Sequence, residues 1–308
     1  MAGAILGTRS LAALSFRMLV QVAFCRMISP PAKSSDSTLS FVQRRPVSSY
    51  FVLTFAISWL GAFLVAAPHL LRHEKLPQLA GILMFPAMLF GPSLSGVLST
   101  WFSGGNPGLR SLRMRLFCWR VPPRWYLTLL IPPVLILSVL LCLKNSVSAE
   151  FAPKLFLLGV LFGVPAGLLE EIGWSGYAFP KMRSRLSPFI ASVVLGLLWG
   201  LWHLPVINFL GAATPHGKDW LGFFLAFTAA MTALRVLICW VYRNTDSVLL
   251  TQLIHISSTS SLVVFSPQVT SRQEVLWYAA YALLLWLVAG IVVLVFGLGL
   301  QRLPRPPV

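Results

Sequence analysis

Long apolar runs broken by short polar clusters set the pattern of this chain. The runs fall at roughly 50–68, 79–102, 125–143, 154–178, 188–207, 220–242, 247–266 and 276–300. Each is close to the ~20 apolar residues that carry a helix across the hydrocarbon core of a bilayer. Between them stand Ser103-Gly104-Gly105-Asn106-Pro107-Gly108, Pro122-Pro123, Arg183-Ser184-Arg185 and Arg243-Asn244-Thr245-Asp246, which read as loops. The pattern predicts an all-α polytopic membrane bundle of about eight transmembrane helices, forming one domain over residues 50–303.

Composition supports lipid as the solvent. Apolar residues make up 57% of the 308 positions and charged residues only 10%, with a mean hydropathy of +0.80. A water-soluble chain carries about a quarter of its residues as charges. The net charge of +16 would suggest nucleic acid in a soluble protein. Here the basic residues lie between apolar spans, where they set topology and meet anionic headgroups, so the partner is the bilayer and not nucleic acid. Cys25, Cys118, Cys142 and Cys239 are scattered, with no spacing that implies a disulfide framework or a soft-metal site.

Charge asymmetry orders the bundle. With the N-terminus placed in the cytoplasm, the inner loops collect Arg44, Arg45, Arg110, Arg113, Arg115, Arg120, Arg124, Lys181, Arg183, Arg185, Arg243, Arg302 and Arg305. The opposite loops hold Arg72, Lys75, Lys144, Lys154, Lys218 and Arg272. This bias fits eight crossings of the cell membrane with both termini cytoplasmic. Residues 1–49 form a basic N-terminal tail, read as a surface-lying segment or as disordered chain.

Scarcity locates the chemistry. Of eight acidic residues, six fit loops or helix ends, whereas Glu170 and Glu171 are adjacent within the apolar run VLFGVPAGLLEEIGWSGYAF. Carboxylates at membrane depth are costly, face the bundle interior and mark functional sites. Two neighbours also interact, so the pair is expected to titrate jointly. His69, His73 and His216 fall in expected loops, but His203 and His255 lie inside apolar spans. Gly196, Gly200 and His203 share one helix face, which would let a neighbouring backbone approach beside the imidazole. Gln252, His255 and Thr259 share another face, with Ser258 adjacent. Trp174, Trp199 and Trp202 read as packing or interface aromatics.

This inventory suits hydrolysis in two ways. In the first, Glu170, Glu171 or both deprotonate a water that attacks a peptide carbonyl. His203 orients that water or shuttles protons, while His255 and Thr259 donate to the oxyanion. In the second, Glu170, His203 and His255 hold a metal ion such as Zn²⁺, with a water in the fourth position and Glu171 as base or outer partner. No HExxH helix is present, so the spacing demands no cofactor, and the metal-free version is preferred.

Three segments resemble motifs of a known family. Glu170-Glu171-Ile172-Gly173-Trp174-Ser175-Gly176-Tyr177, Trp199-Gly200-Leu201-Trp202-His203 and His255-Ile256-Ser257-Ser258-Thr259 look like the EExxxR, FxxxH and HxxxN patterns of the CPBP family. That family comprises the CAAX prenyl endopeptidases and the bacteriocin-processing or immunity (Abi-type) proteins. The resemblance covers residues 150–265 and implies an intramembrane endopeptidase on an eight-helix fold, acting on membrane-associated, including prenylated, peptides or proteins. Three positions depart from the patterns. Ser175 stands where the first motif has Arg, Trp199 where the second has Phe, and Thr259 where the third has Asn. Trp for Phe reads as mild; Ser for Arg removes a cation that Arg183 or Arg185 would have to supply. Two other classes fit the same inventory: a non-catalytic immunity or scaffold protein of this fold, and a proton-coupled transporter, although the transporter's usual repeats are missing.

Overall fold

The computed structural model describes residues 44–209 and 216–301. Most of the N-terminal tail, Cys25, Arg302 and Arg305 lie outside the described residues. The described residues are all helical or irregular, without a strand. The principal helices are α1 (Pro46–Leu71), α2 (Gln78–Leu116), α3 (Ile131–Ser146), α4 (Val160–Gly173), α5 (Pro188–Trp202), α6 (Trp220–Thr245), α7 (Val248–Val264) and α8 (Ser271–Phe296). Each apolar run of the sequence has its helix. Seven helical stretches are long and apolar enough to cross a membrane. The eighth, α7, has 17 residues and so spans about 25 Å, short of the ~30 Å hydrocarbon core.

The termini of these helices follow local chemistry. Pro46 and Pro188 occupy first turns, where a missing N–H costs nothing. Ser187, Ser247 and Thr270 cap α5, α7 and α8 by accepting from Ile190, Leu250 and Gln273 N–H. Between α6 and α7, Asp246 adopts the left-handed conformation (φ 49°) and Ser247 caps the next helix at once, so the chain reverses within two residues.

Two expected loops are helical wholly or for the most part: Arg243, Asn244 and Thr245 form the end of α6, and the other lies within α2. Ser103–Gly108 does not separate two elements: α2 kinks at Gly105 (φ 55°, ψ −150°) and resumes as helix to Leu116. Glycine permits that backbone, and Pro107 follows where a restarting helix tolerates proline. Arg110, Arg113 and Arg115 therefore project from a helix rather than a loop.

The bundle is inverted relative to a soluble protein. Leu60, Leu71, Leu283 and Leu294 are widely exposed, while Glu170, Glu171, Arg235 and His255 are buried. With no hydrophobic drive between helices in lipid, close backbone approach and polar bonds hold the core. Gly163 and Gly167 of α4 lie against α7. A Cβ on Gly167 would stand 2.7 Å from Gln252 O and 2.8 Å from Ile256 N. Gln252 Nε2 donates to Leu168 O at 2.7 Å across the same seam. Gly196 and Gly200 of α5 face Thr232 and Thr228 of α6, the backbone approach beside His203 that their shared face foreshadows. Gly167→Ala should destabilise the bundle by about 1–3 kcal/mol through overpacking, read as a lowered thermal midpoint in detergent.

Candidate active site in the membrane interior

Three motif-bearing helices converge through these seams: α4 packs on α7 and α2, and α5 on α6. Directly after the glutamate pair, α4 widens into a π-helical turn, Trp174–Ala178. A second π turn, Pro205–Phe209, follows His203. Single π turns change the register in which side chains meet a neighbouring helix and are frequent at functional sites.

Glu170 and Glu171 are adjacent in sequence but have different surroundings. Glu170 Oε2 accepts from the indole N–H of Trp174 at 3.1 Å and of Trp199 at 2.7 Å. Both donors are neutral. Glu171 instead lies within charge: Arg235 Nη1 donates to its Oε2 at 2.9 Å, the Ser175 hydroxyl donates to the same oxygen, and His255 Nδ1 lies 2.8 Å from Oε1. Arg235 and Glu171 are both fully buried. An ion pair at that depth is tolerable only when partnered and hydrogen-bonded.

The histidine bonds indicate their tautomers. His203 Nδ1 sits 2.8 Å from Trp199 O. A carbonyl only accepts, so Nδ1 carries the proton and Nε2 presents a lone pair. The ring lies among Phe85, Trp199, Trp202 and Phe227, with centroids 4.8–6.2 Å away. His255 is oriented by the Glu171 carboxylate through Nδ1, leaving Nε2 for other work. Trp199 joins the parts: its ring is 5.0 Å from that of His255 and 5.7 Å from that of His203, and the Arg235 guanidinium lies 4.2 Å over it. Glu170, Glu171, His203 and His255 are thereby gathered around one tryptophan. Thr259 is one turn beyond His255 on α7, half-buried, and makes no side-chain hydrogen bond among the described residues. Gln252 serves the α4–α7 seam.

The sequence reading needs three corrections. The cation beside the glutamates comes from Arg235 on α6, not from Arg183, which is 3.9 Å from Asp246. The signal was present: Arg235 is a lone charge in the apolar run AFTAAMTALRVLICWVY, and the scarcity argument applied to acids applies equally to bases. Trp174 and Trp199 are not merely packing aromatics, because both indoles hold Glu170. Trp199 in place of Phe is correspondingly more than mild, since Phe has no N–H to donate. Trp199→Phe keeps a ring under Arg235 but strips one bond from Glu170, and turnover should fall about tenfold to a hundredfold, as for loss of one charge-assisted hydrogen bond of ~1.5–3 kcal/mol. Steady-state kinetics would read it.

Among the described residues, no three His, Cys, Asp or Glu side chains are gathered as a metal-holding group. The bonds that orient Glu170, His203 and His255 run to indoles, a backbone carbonyl and Glu171.

The structure is that of a multi-pass membrane protein with a buried Glu–His–Arg constellation inside its helix bundle. Residues 152–260 match the family described as Type II CAAX prenyl endopeptidase Rce1-like. The chain is also similar to CAAX prenyl protease 2 of Methanococcus maripaludis, at 29% identity over 227 residues, covering 67% of this chain and 79% of that protein. The matched segment contains Glu170, Glu171, Ser175, Trp199, His203, Arg235, His255 and Thr259.

Proposed function

We propose that this protein is an intramembrane endopeptidase of the CAAX type, which cleaves membrane-associated peptides bearing a prenylated cysteine by means of a Glu170-activated water. The observation that supports it most is the unequal treatment of the two glutamates. Glu171 is committed to Arg235, Ser175 and His255, whereas Glu170 is held through one oxygen by two neutral indole donors. That leaves Glu170 as the carboxylate suited to take a proton.

In this reading a water bound between Glu170 and the His203 Nε2 lone pair gives its proton to Glu170 and attacks the peptide carbonyl carbon. His255, protonated on both nitrogens and balanced by Glu171, donates from Nε2 to the developing oxyanion, with the Thr259 hydroxyl as second donor. Glu170 then returns the proton to the departing amine as the C–N bond breaks. Water is consumed, and one carboxylate and one amine are formed. With His255 charged, the buried cluster holds two anions, Glu170 and Glu171, and two cations, Arg235 and His255. The apolar, lipid-facing exterior and the protease names of the relatives favour a substrate delivered along the membrane.

The test is cleavage of a farnesylated peptide, beside its unprenylated counterpart, by purified protein in nanodiscs with and without a chelator. Preferential cleavage of the prenylated peptide, unaffected by chelation, supports the proposal. Equal cleavage of both removes the prenyl group from the substrate, and chelator-abolished cleavage removes the metal-free mechanism.

A further inference from the structure

We propose that Arg235 is a positioning residue of this site, a relocated cation that does from α6 what an arginine at position 175 would do from α4. The inference rests on the peptidase reading above and concerns how its histidine is set.

The geometry is specific. Ser175 lies one turn after Glu171, and its hydroxyl donates to Glu171 Oε2. Arg235 Nη1, reaching from another helix, donates to that same oxygen at 2.9 Å. The two positions thus converge on one acceptor, with a small side chain on one side matched by a long cationic one on the other. In the EExxxR pattern the cation would leave the backbone at 175; here the short Ser175 leaves room for Arg235.

Two observations separate positioning from simple bundle bracing. The Nε and Nη2 atoms of Arg235 make no hydrogen bond among the described residues, so the guanidinium does not cross-link backbone carbonyls of neighbouring helices. Its one ion pair among the described residues is Glu171, and the opposite oxygen of Glu171 orients His255 Nδ1. The Trp199 face at 4.2 Å covers the guanidinium, a cation–π contact of the kind Arg favours. Arg235 therefore acts on the reaction through Glu171 and His255, touching no reacting atom itself.

The experiment is a cycle in nanodiscs on the full chain: wild type, Arg235→Met, Arg235→Lys, Ser175→Arg, and Ser175→Arg with Arg235→Met. For Arg235→Met, kcat should fall at least a hundredfold with KM within threefold, and Arg235→Lys should stay within tenfold of wild type. Ser175→Arg alone should lower kcat by crowding a second guanidinium into the site, yet in the Arg235→Met background it should raise kcat at least tenfold. Arg235→Met with kcat within threefold of wild type overturns the proposal, as does a double variant no more active than Arg235→Met. If Arg235→Met alone does not fold, a folded, active double variant supports the proposal and an inactive one overturns it. A wild type that cleaves nothing counts against the peptidase reading instead. The thermal midpoints of the cycle still decide on the cation, because Ser175→Arg should lower the midpoint of wild type and raise that of Arg235→Met.

Discussion

Glu170→Gln should abolish turnover, by about a thousandfold or more, while leaving the bundle folded. The substitution is isosteric and removes no ion pair, because the partners of Glu170 are the indoles of Trp174 and Trp199. The glutamine carbonyl can still accept from one or both, so the thermal midpoint should move little. What is lost is the proton acceptor of the proposed mechanism. General-base catalysis contributes about 10²–10⁴ in rate, and an amide cannot supply it. KM should change far less than kcat, since the carboxylate is used in the transition state rather than in holding substrate. Kinetics and a thermal melt on the same preparation check both halves. Activity within tenfold of wild type would move the base elsewhere.

The neighbouring substitution should behave in the opposite way. Glu171→Gln leaves the Arg235 guanidinium fully buried without its counter-charge. Breaking one half of a buried pair costs about 3–5 kcal/mol, because the remaining charge is stranded. The thermal midpoint should fall by roughly 10 °C, at the scale of a few degrees per kcal/mol for a domain of this size. His255 also loses the carboxylate that orients its Nδ1, so the surviving folded fraction should be inactive as well. On the proposed mechanism one glutamate should govern turnover and its neighbour both turnover and stability. Equal melts for the two variants would contradict the division of labour between them.

Much of the fold was legible in the sequence. The spans follow from apolar run lengths, and the burial of Glu170, Glu171, His203 and His255 follows from the cost of placing such groups in lipid. Their convergence was harder to read. Counting residues from the loops puts Glu170 and His203 toward opposite ends of adjacent helices, yet Trp199, one turn before His203, donates to Glu170. Residue counting assumes parallel, regular helices, and here two π turns and glycine-lined crossings break that assumption. Arg235 was readable by composition but not by partner, because which of several cations reaches Glu171 depends on the azimuth of α6. The indole bonds to Glu170 likewise depend on rotamers that no spacing rule fixes. The Gly105 kink misled for a simpler reason: a Gly-Gly-Asn-Pro-Gly cluster resembles a loop whether the chain turns or only bends.

The most direct test of the central claim is mass spectrometry of the products formed from a farnesylated peptide by wild-type protein in nanodiscs, run in H₂¹⁸O. The account predicts a single cut that separates the prenylated cysteine from the residues following it, with one ¹⁸O in the new carboxylate. Intact peptide after prolonged incubation with folded protein would contradict it.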